Sequence, residues 1–114
     1  MRRLRWMTLP ALALLLAAAG QPEPPEAERF VAGRRSGLVN DGADGCWLWV
    51  GGINQGIRDM RATWTGGCED GRASGKGRSE ITWRDGDLAR SMIYEGVLQR
   101  GRAEGQGRLT HTTN

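Results

Sequence analysis

The chain has 114 residues, 18 of them glycine, with 16 Lys or Arg against 13 Asp or Glu. This length allows one small domain at most. Three of the basic residues are Arg2, Arg3 and Arg5, so the segment from residue 20 onwards is neutral, with 13 basic and 13 acidic residues. A neutral segment lacks the electrostatic field that favours nucleic acid or an anionic membrane as a partner. We therefore predict no nucleic-acid partner.

Residues 1–19 have the pattern of a secretory signal peptide. A cationic start is followed by an apolar run ending in Ala17-Ala18-Ala19, and small residues of this kind precede a cleavage site. The uncharged stretch from Trp6 to Gly20 is shorter than the roughly 20 residues that span a bilayer. We predict cleavage after about Ala19 and an exported mature protein without a transmembrane span. The pattern does not separate the periplasm from secretion, nor does it exclude an uncleaved, membrane-tethered form.

Residues 20–45 have the composition of a poorly ordered Pro/Gly-rich linker. Three of the four prolines lie between residues 21 and 29, where no apolar side chain is larger than Ala. Residues 30–45 are rich in glycine and show no apolar periodicity. These features predict an extended, solvated segment.

Residues 46–114 contain no proline, and short β-favouring runs alternate there with glycines. The runs lie at residues 46–50, 62–65, 80–83, 91–94 and 108–110. No stretch combines an apolar stripe of helical period with helix-favouring residues. The pattern predicts an all-β domain built of short hairpins.

The strongest pattern is an internal repeat with an offset of 30 residues. Residues 64–78 align without a gap with residues 94–108, and 7 of the 15 positions are identical. Each copy opens with an aromatic residue followed by glycines; the repeat-defining residues are Trp64, Gly66, Gly71, Gly75 and Gly77, then Tyr94, Gly96, Gly101, Gly105 and Gly107. Gly71 and Gly101 suit a turn with positive φ. The Gly-x-Gly pairs leave one strand face bare, so a neighbouring aromatic ring can lie flat on it.

This spacing resembles the MORN (membrane occupation and recognition nexus) repeat, and the likeness covers residues 46–110. Cys68 stands where the repeat usually has an aromatic or apolar residue, and the segment is similar to secreted bacterial members with a cysteine pair. The 30-residue spacing implies an insertion, mostly within residues 87–93. The resemblance implies a meander of antiparallel β-hairpins in a small, twisted open sheet, with repeat units at about residues 64–86 and 94–114. It also implies an association or scaffold role without catalytic residues.

Cys46 and Cys68 are the only cysteines. In an exported chain they are predicted to form a disulfide, whose loop closure stabilises the fold by about 3 kcal/mol. There is no Cys-x-x-Cys redox motif, and two thiols with the single distant His111 make a poor metal site. We therefore predict neither a metal site nor a cofactor.

Strand alternation over residues 46–50 places Trp47 and Trp49 on one face and Leu48 and Val50 on the other. The tryptophan face has two interpretations. Either residues 30–45 fold back and cover both rings, or the rings form an exposed platform for a glycan or a partner protein. The candidate binding surface consists of Trp47 and Trp49 together with two arginines of the repeat, Arg72 and Arg102.

No motif predicts a catalytic site, since His111 is isolated and the acidic pairs beside glycines suit turns. The predicted function is an exported, non-catalytic protein-interaction or scaffold module of the bacterial envelope. The alternative is a glycan- or lipid-surface-binding module. An unpaired last strand near residues 109–113 offers an edge for a partner strand or for a homodimer. The predicted partner is thus a protein or an envelope component.

Overall fold

The computed structural model describes residues 21–31, 33–42, 44–52 and 57–114, and the predicted signal peptide lies outside these ranges. The described part is all-β apart from a 3-10 turn at Glu26–Glu28. Within it, no helix is long and apolar enough to cross a membrane. The strands are β1 Gly37–Asn40, β2 Trp47–Val50, β3 Ile57–Trp64, β4 Gly67–Glu69, β5 Arg72–Asp85, β6 Leu88–Gln99 and β7 Arg102–Thr113.

The strands form one open mixed sheet in the order β1-β2-β5-β6-β7. The long strand β5 is its centre: β6 pairs along one edge, while β4 and β3 pair with successive parts of the strand. The pairs β4–β5, β5–β6 and β6–β7 are antiparallel. The sheet departs from a purely antiparallel arrangement where Trp47 of β2 pairs in parallel with Arg72 of β5. This contact is made over a long sequence separation, so no local pattern indicates it.

The segment predicted as a linker contains part of the sheet. β1 pairs with β2 from Gly37 opposite Val50 to Asn40 opposite Trp47. Leu38 and Val39 are 2% and 9% exposed, so β1 is buried on both faces. A Cβ on Gly37 would lie 2.5 Å from the Phe30 nitrogen, so this glycine permits a close approach of the chain. The expectation of a poorly ordered segment therefore differs from the structure over residues 37–40.

Both copies of the repeat contain the same two-residue turn. Asp70-Gly71 joins β4 to β5, and Arg100-Gly101 joins β6 to β7. All four residues have positive φ, of 52° and 76° in the first turn and 52° and 83° in the second. Positive φ at both central residues matches the twist of antiparallel hairpins. The turn conformation predicted for Gly71 and Gly101 is present.

An aromatic ring lies against bare glycine backbone in each copy. A Cβ on Gly77 would lie 2.9 Å from Trp64 Cη2, and one on Gly96 would lie 2.6 Å from the Tyr94 hydroxyl oxygen. Gly77 pairs with Gly96 and Gly96 with Gly107, so three glycines lie side by side across β5, β6 and β7. These positions accept no side chain because the rings occupy the space.

The core is one apolar cluster between the β1–β2 hairpin and the longer strands. Leu48 and Val50 are 2% and 1% exposed, whereas Trp47 and Trp49 are half-buried, which is the predicted alternation. Cys46 and Cys68 are paired as a disulfide, with Cα atoms 6.0 Å apart. The cluster consists of Val39, Cys46, Leu48, Val50, Ile57, Ala62, Trp64, Ala73, Ile81, Trp83 and Leu98.

Candidate binding surface

Strand β2 lies across the ends of both repeat turns. The Trp47 amide donates to the Gly71 carbonyl at 2.8 Å, and the Trp49 amide donates to the Gly101 carbonyl at 2.7 Å. An arginine follows each of these glycines in the sequence. Each copy of the repeat therefore brings one of the predicted surface arginines, Arg72 or Arg102, to the end of the sheet where the tryptophans lie.

Arg102 stacks on Trp49, with its guanidinium carbon 3.8 Å from the ring centroid. The guanidinium makes no hydrogen bond or ion pair with any described residue. A stack of this kind stabilises by about 0.5–1 kcal/mol at an exposed site. Its structural effect is to hold an exposed guanidinium in one place with its N–H donors unused.

Arg72 has a different environment. It forms an ion pair with Glu28 at 3.3 Å and its side chain is 27% exposed. The guanidinium nearest Trp47 is that of Arg29, 5.6 Å from the ring centroid. Arg29 is fixed by a hydrogen bond to the Pro24 carbonyl at 3.0 Å and an ion pair with Glu23 at 3.2 Å. Both rings thus carry an arginine, and neither is a bare aromatic platform.

Sequence reasoning missed Arg29 because it falls in the segment predicted to be a linker. Arg29 is held near Trp47 by its neighbour Phe30, whose amide donates to the Leu38 carbonyl at 2.9 Å. That bond depends on β1, which the sequence analysis did not predict.

Two clefts flank the stacked pair of Arg102 and Trp49, with volumes of about 480 and 430 Å³. Both are lined by Trp49, Arg102 and Glu28. The charged residues that line the two clefts together are five arginines and two glutamates: Arg34, Arg35, Arg72, Arg100, Arg102, Glu28 and Glu104. We refer to these five arginines as the arginine face. The local charge is positive although the segment from residue 20 onwards is neutral.

A second surface is the outer edge of β7. All 12 residues of this strand are exposed, and among the described residues only β6 pairs with it. Ala89 and Asn114 exchange both backbone hydrogen bonds, at 3.2 and 2.9 Å. Doubly bonded pairs alternate along an antiparallel ladder, so the amides of Leu109, His111 and Thr113 point away from β6. The edge therefore presents a row of unpaired backbone donors.

The candidate catalytic and metal-binding groups are scattered. Across the described ranges, no three His, Cys, Asp or Glu side chains are grouped so that they could hold a metal ion. His111 lies on β7 and stacks on Trp83, with ring centroids 5.8 Å apart and an interplanar angle of 22°. This contact was not predicted, since it requires the pairing of β7 with β6. Beside it, Arg90 forms an ion pair with Asp85 at 3.3 Å.

In comparisons with known proteins, no family model, no curated protein and no solved structure matches this chain.

Proposed function

We propose that the chain is an exported, non-catalytic protein-association module of the bacterial envelope, built on MORN-type repeats. The leader pattern of residues 1–19 and the pairing of Cys46 with Cys68 support export, because disulfides persist in oxidising compartments. The two aromatic-on-glycine units, which share turn conformation and spacing, support the repeat assignment. The association surface is the outer edge of β7.

The observation that carries this proposal is the chemistry of that edge. Residues 109–114 contain no Lys, Arg, Asp, Glu or Pro, and Leu109 is 62% exposed. Monomeric proteins protect their edge strands with charges, prolines or bulges, because unpaired backbone groups recruit other strands. β3, on the other side of β5, has such protection: it carries Arg58, Asp59 and Arg61 and a shift in register between the two arginines.

The partner we propose is a second copy of this chain. A twofold dimer uses the same surface on both subunits, and antiparallel pairing of two β7 strands satisfies this condition. Each outward amide of Leu109, His111 and Thr113 then finds a carbonyl acceptor on the partner strand. Because residues 109–114 include no Lys, Arg, Asp or Glu, this pairing places no like charges opposite each other.

Sedimentation equilibrium of the oxidised, exported protein tests this proposal. Leu109→Pro removes one outward amide and places a ring on the edge, but it breaks no bond to β6. Leu109→Val keeps the amide and a β-favouring apolar side chain, so it is the matched control. We expect the native protein and Leu109→Val to dimerise, and Leu109→Pro to dimerise at least about tenfold more weakly. A native protein that stays monomeric at all concentrations would contradict the proposal, as would unchanged dimerisation of a folded Leu109→Pro variant.

A further inference from the structure

We propose that the arginine face binds carboxylate groups of an acidic glycan, with Arg102 as the central contact. This site lies at the turn end of the sheet and does not depend on the β7 edge near residues 109–113.

Arg102 has the geometry of a prepared anion receptor. Its guanidinium is held over Trp49 at 3.8 Å, and its N–H groups are not used by any described residue. A planar guanidinium donates two parallel hydrogen bonds to one carboxylate. Because the stack already limits the side chain's rotamers, less conformational entropy is lost when the anion binds.

The surrounding charges favour an anion. Of the two glutamates that line the clefts, Glu28 is already paired with Arg72. Arg35 and Arg100 have no ion pair or side-chain hydrogen bond within the described part of the chain. Three arginines, Arg35, Arg100 and Arg102, therefore face the clefts with their donors available to a ligand.

The form of the site favours a glycan over other anions. The clefts of about 480 and 430 Å³ fall in the usual range of small-molecule sites, roughly 300–1,000 Å³. Both clefts share the half-buried Trp49 ring, and the part of its apolar surface that Arg102 does not cover suits the C–H groups of a sugar. Attachment to an anionic bilayer or to nucleic acid draws on a long-range positive field, which the neutral segment from residue 20 onwards does not provide. A polymer of uronic acids presents both apolar C–H groups and carboxylates, so it can contact the Trp49 ring and the arginines together.

Isothermal titration with tetragalacturonate tests the proposal, with its methyl ester as the uncharged control ligand. We expect the native protein to bind the acid with a dissociation constant below about 1 mM and the ester not measurably. Arg102→Gln should weaken binding by about tenfold or more, since it removes a charge-assisted pair of hydrogen bonds. Arg102→Lys should weaken it as well, because an ammonium does not donate bidentately.

Arg108→Gln is the matched control variant, since it removes the same charge from β7 outside the lining of both clefts. We expect it to bind tetragalacturonate within about twofold of the native protein. The indole N–H resonance of Trp49 should shift on titration with the acid. Leu109→Pro should leave glycan binding unchanged, which separates this site from the β7 edge.

Three results would overturn the proposal. The first is equal binding of the acid and the ester. The second is equal weakening by Arg102→Gln and Arg108→Gln, which would indicate diffuse charge attraction. The third is binding to vesicles of anionic phospholipid without binding to tetragalacturonate, which would assign the arginine face to a membrane surface.

Discussion

Trp64 and Tyr94 occupy equivalent positions in two units that are 30 residues apart in the sequence. The Trp64 ring covers Gly66, just beyond the end of β3, and Gly77 of β5. The Tyr94 ring covers Gly96 of its own strand and Gly107 of β7. Each donates from its polar end to a backbone carbonyl three residues further on, Trp64 Nε1 to Gly67 at 2.8 Å and the Tyr94 hydroxyl to Val97 at 2.9 Å. The polar atom of each ring is thus satisfied by the same local bond, so the unit repeats as a structural element as well as a sequence pattern.

Gly96→Ala should destabilise the fold by about 1–3 kcal/mol, because its Cβ would overlap the Tyr94 ring. Urea denaturation followed by tryptophan fluorescence measures the change. Gly42→Ala is the matched control, since a Cβ there meets nothing within 4 Å and its effect should stay within about 0.5 kcal/mol. Equal effects of the two substitutions would contradict the packing described for the repeat.

Arg100→Asn should stabilise the protein by about 0.5–1 kcal/mol. Arg100 has a φ of 52°, a conformation that costs roughly 1–2 kcal/mol for most side chains and is better accepted by asparagine. Asn-Gly is also the preferred pair for this turn. Thermal unfolding of Arg100→Asn and of Asp70→Asn, whose native residue already suits the turn, provides the comparison. A loss of stability on Arg100→Asn alone would contradict the turn assignment.

The all-β class, the paired cysteines and the alternation of residues 47–50 were accessible from the sequence, because they depend on local periodicity and composition. The units around Trp64 and Tyr94 were accessible as a pattern of glycines. The parallel contact of Trp47 with Arg72 was not accessible, because the two residues are far apart in the sequence and no local pattern indicates that they pair. β1 was missed because it is only four residues long and its flanking glycines resemble those of a flexible segment.

Leu38→Ala tests the structure that replaces the predicted linker. Leu38 is 2% exposed, so its truncation should cost about 2–5 kcal/mol of unfolding free energy. Val31→Ala, in the same segment but at a side chain that is 43% exposed, should cost less than about 0.5–1 kcal/mol. Chemical denaturation of both variants measures these two changes in unfolding free energy. If Leu38→Ala costs as little as Val31→Ala, residues 20–45 do behave as a linker.

Replacing Cys46 and Cys68 together by alanine should lower the free energy of unfolding by about 3 kcal/mol through the lost loop closure. This loss of unfolding free energy should exceed the loss caused by a substitution elsewhere in the core that removes a similar side-chain volume. Intact mass of the exported protein before and after reduction checks the pairing directly. Two free thiols in the native protein would contradict it.

The candidate surface was accessible in part. Strand alternation predicted that Trp47 and Trp49 share a face, and Arg72 and Arg102 were selected because they recur in the repeat. The stacking of Arg102 on Trp49 was not predicted. Arg29, Arg34 and Arg35 were not, because they come from the segment whose fold depends on β1. The stack of His111 on Trp83 was missed for a similar reason, since it forms only once β7 pairs with β6.

Amide hydrogen exchange along β7, measured by NMR at increasing protein concentration, tests most directly whether this edge is the association surface. In the dilute protein, the amides of Thr110 and Thr112 should be protected by their bonds to β6, while those of Leu109, His111 and Thr113 exchange rapidly. At concentrations that populate the dimer, the latter three should become protected in turn. If they stay unprotected while the protein associates, the β7 edge is not the surface that joins the copies.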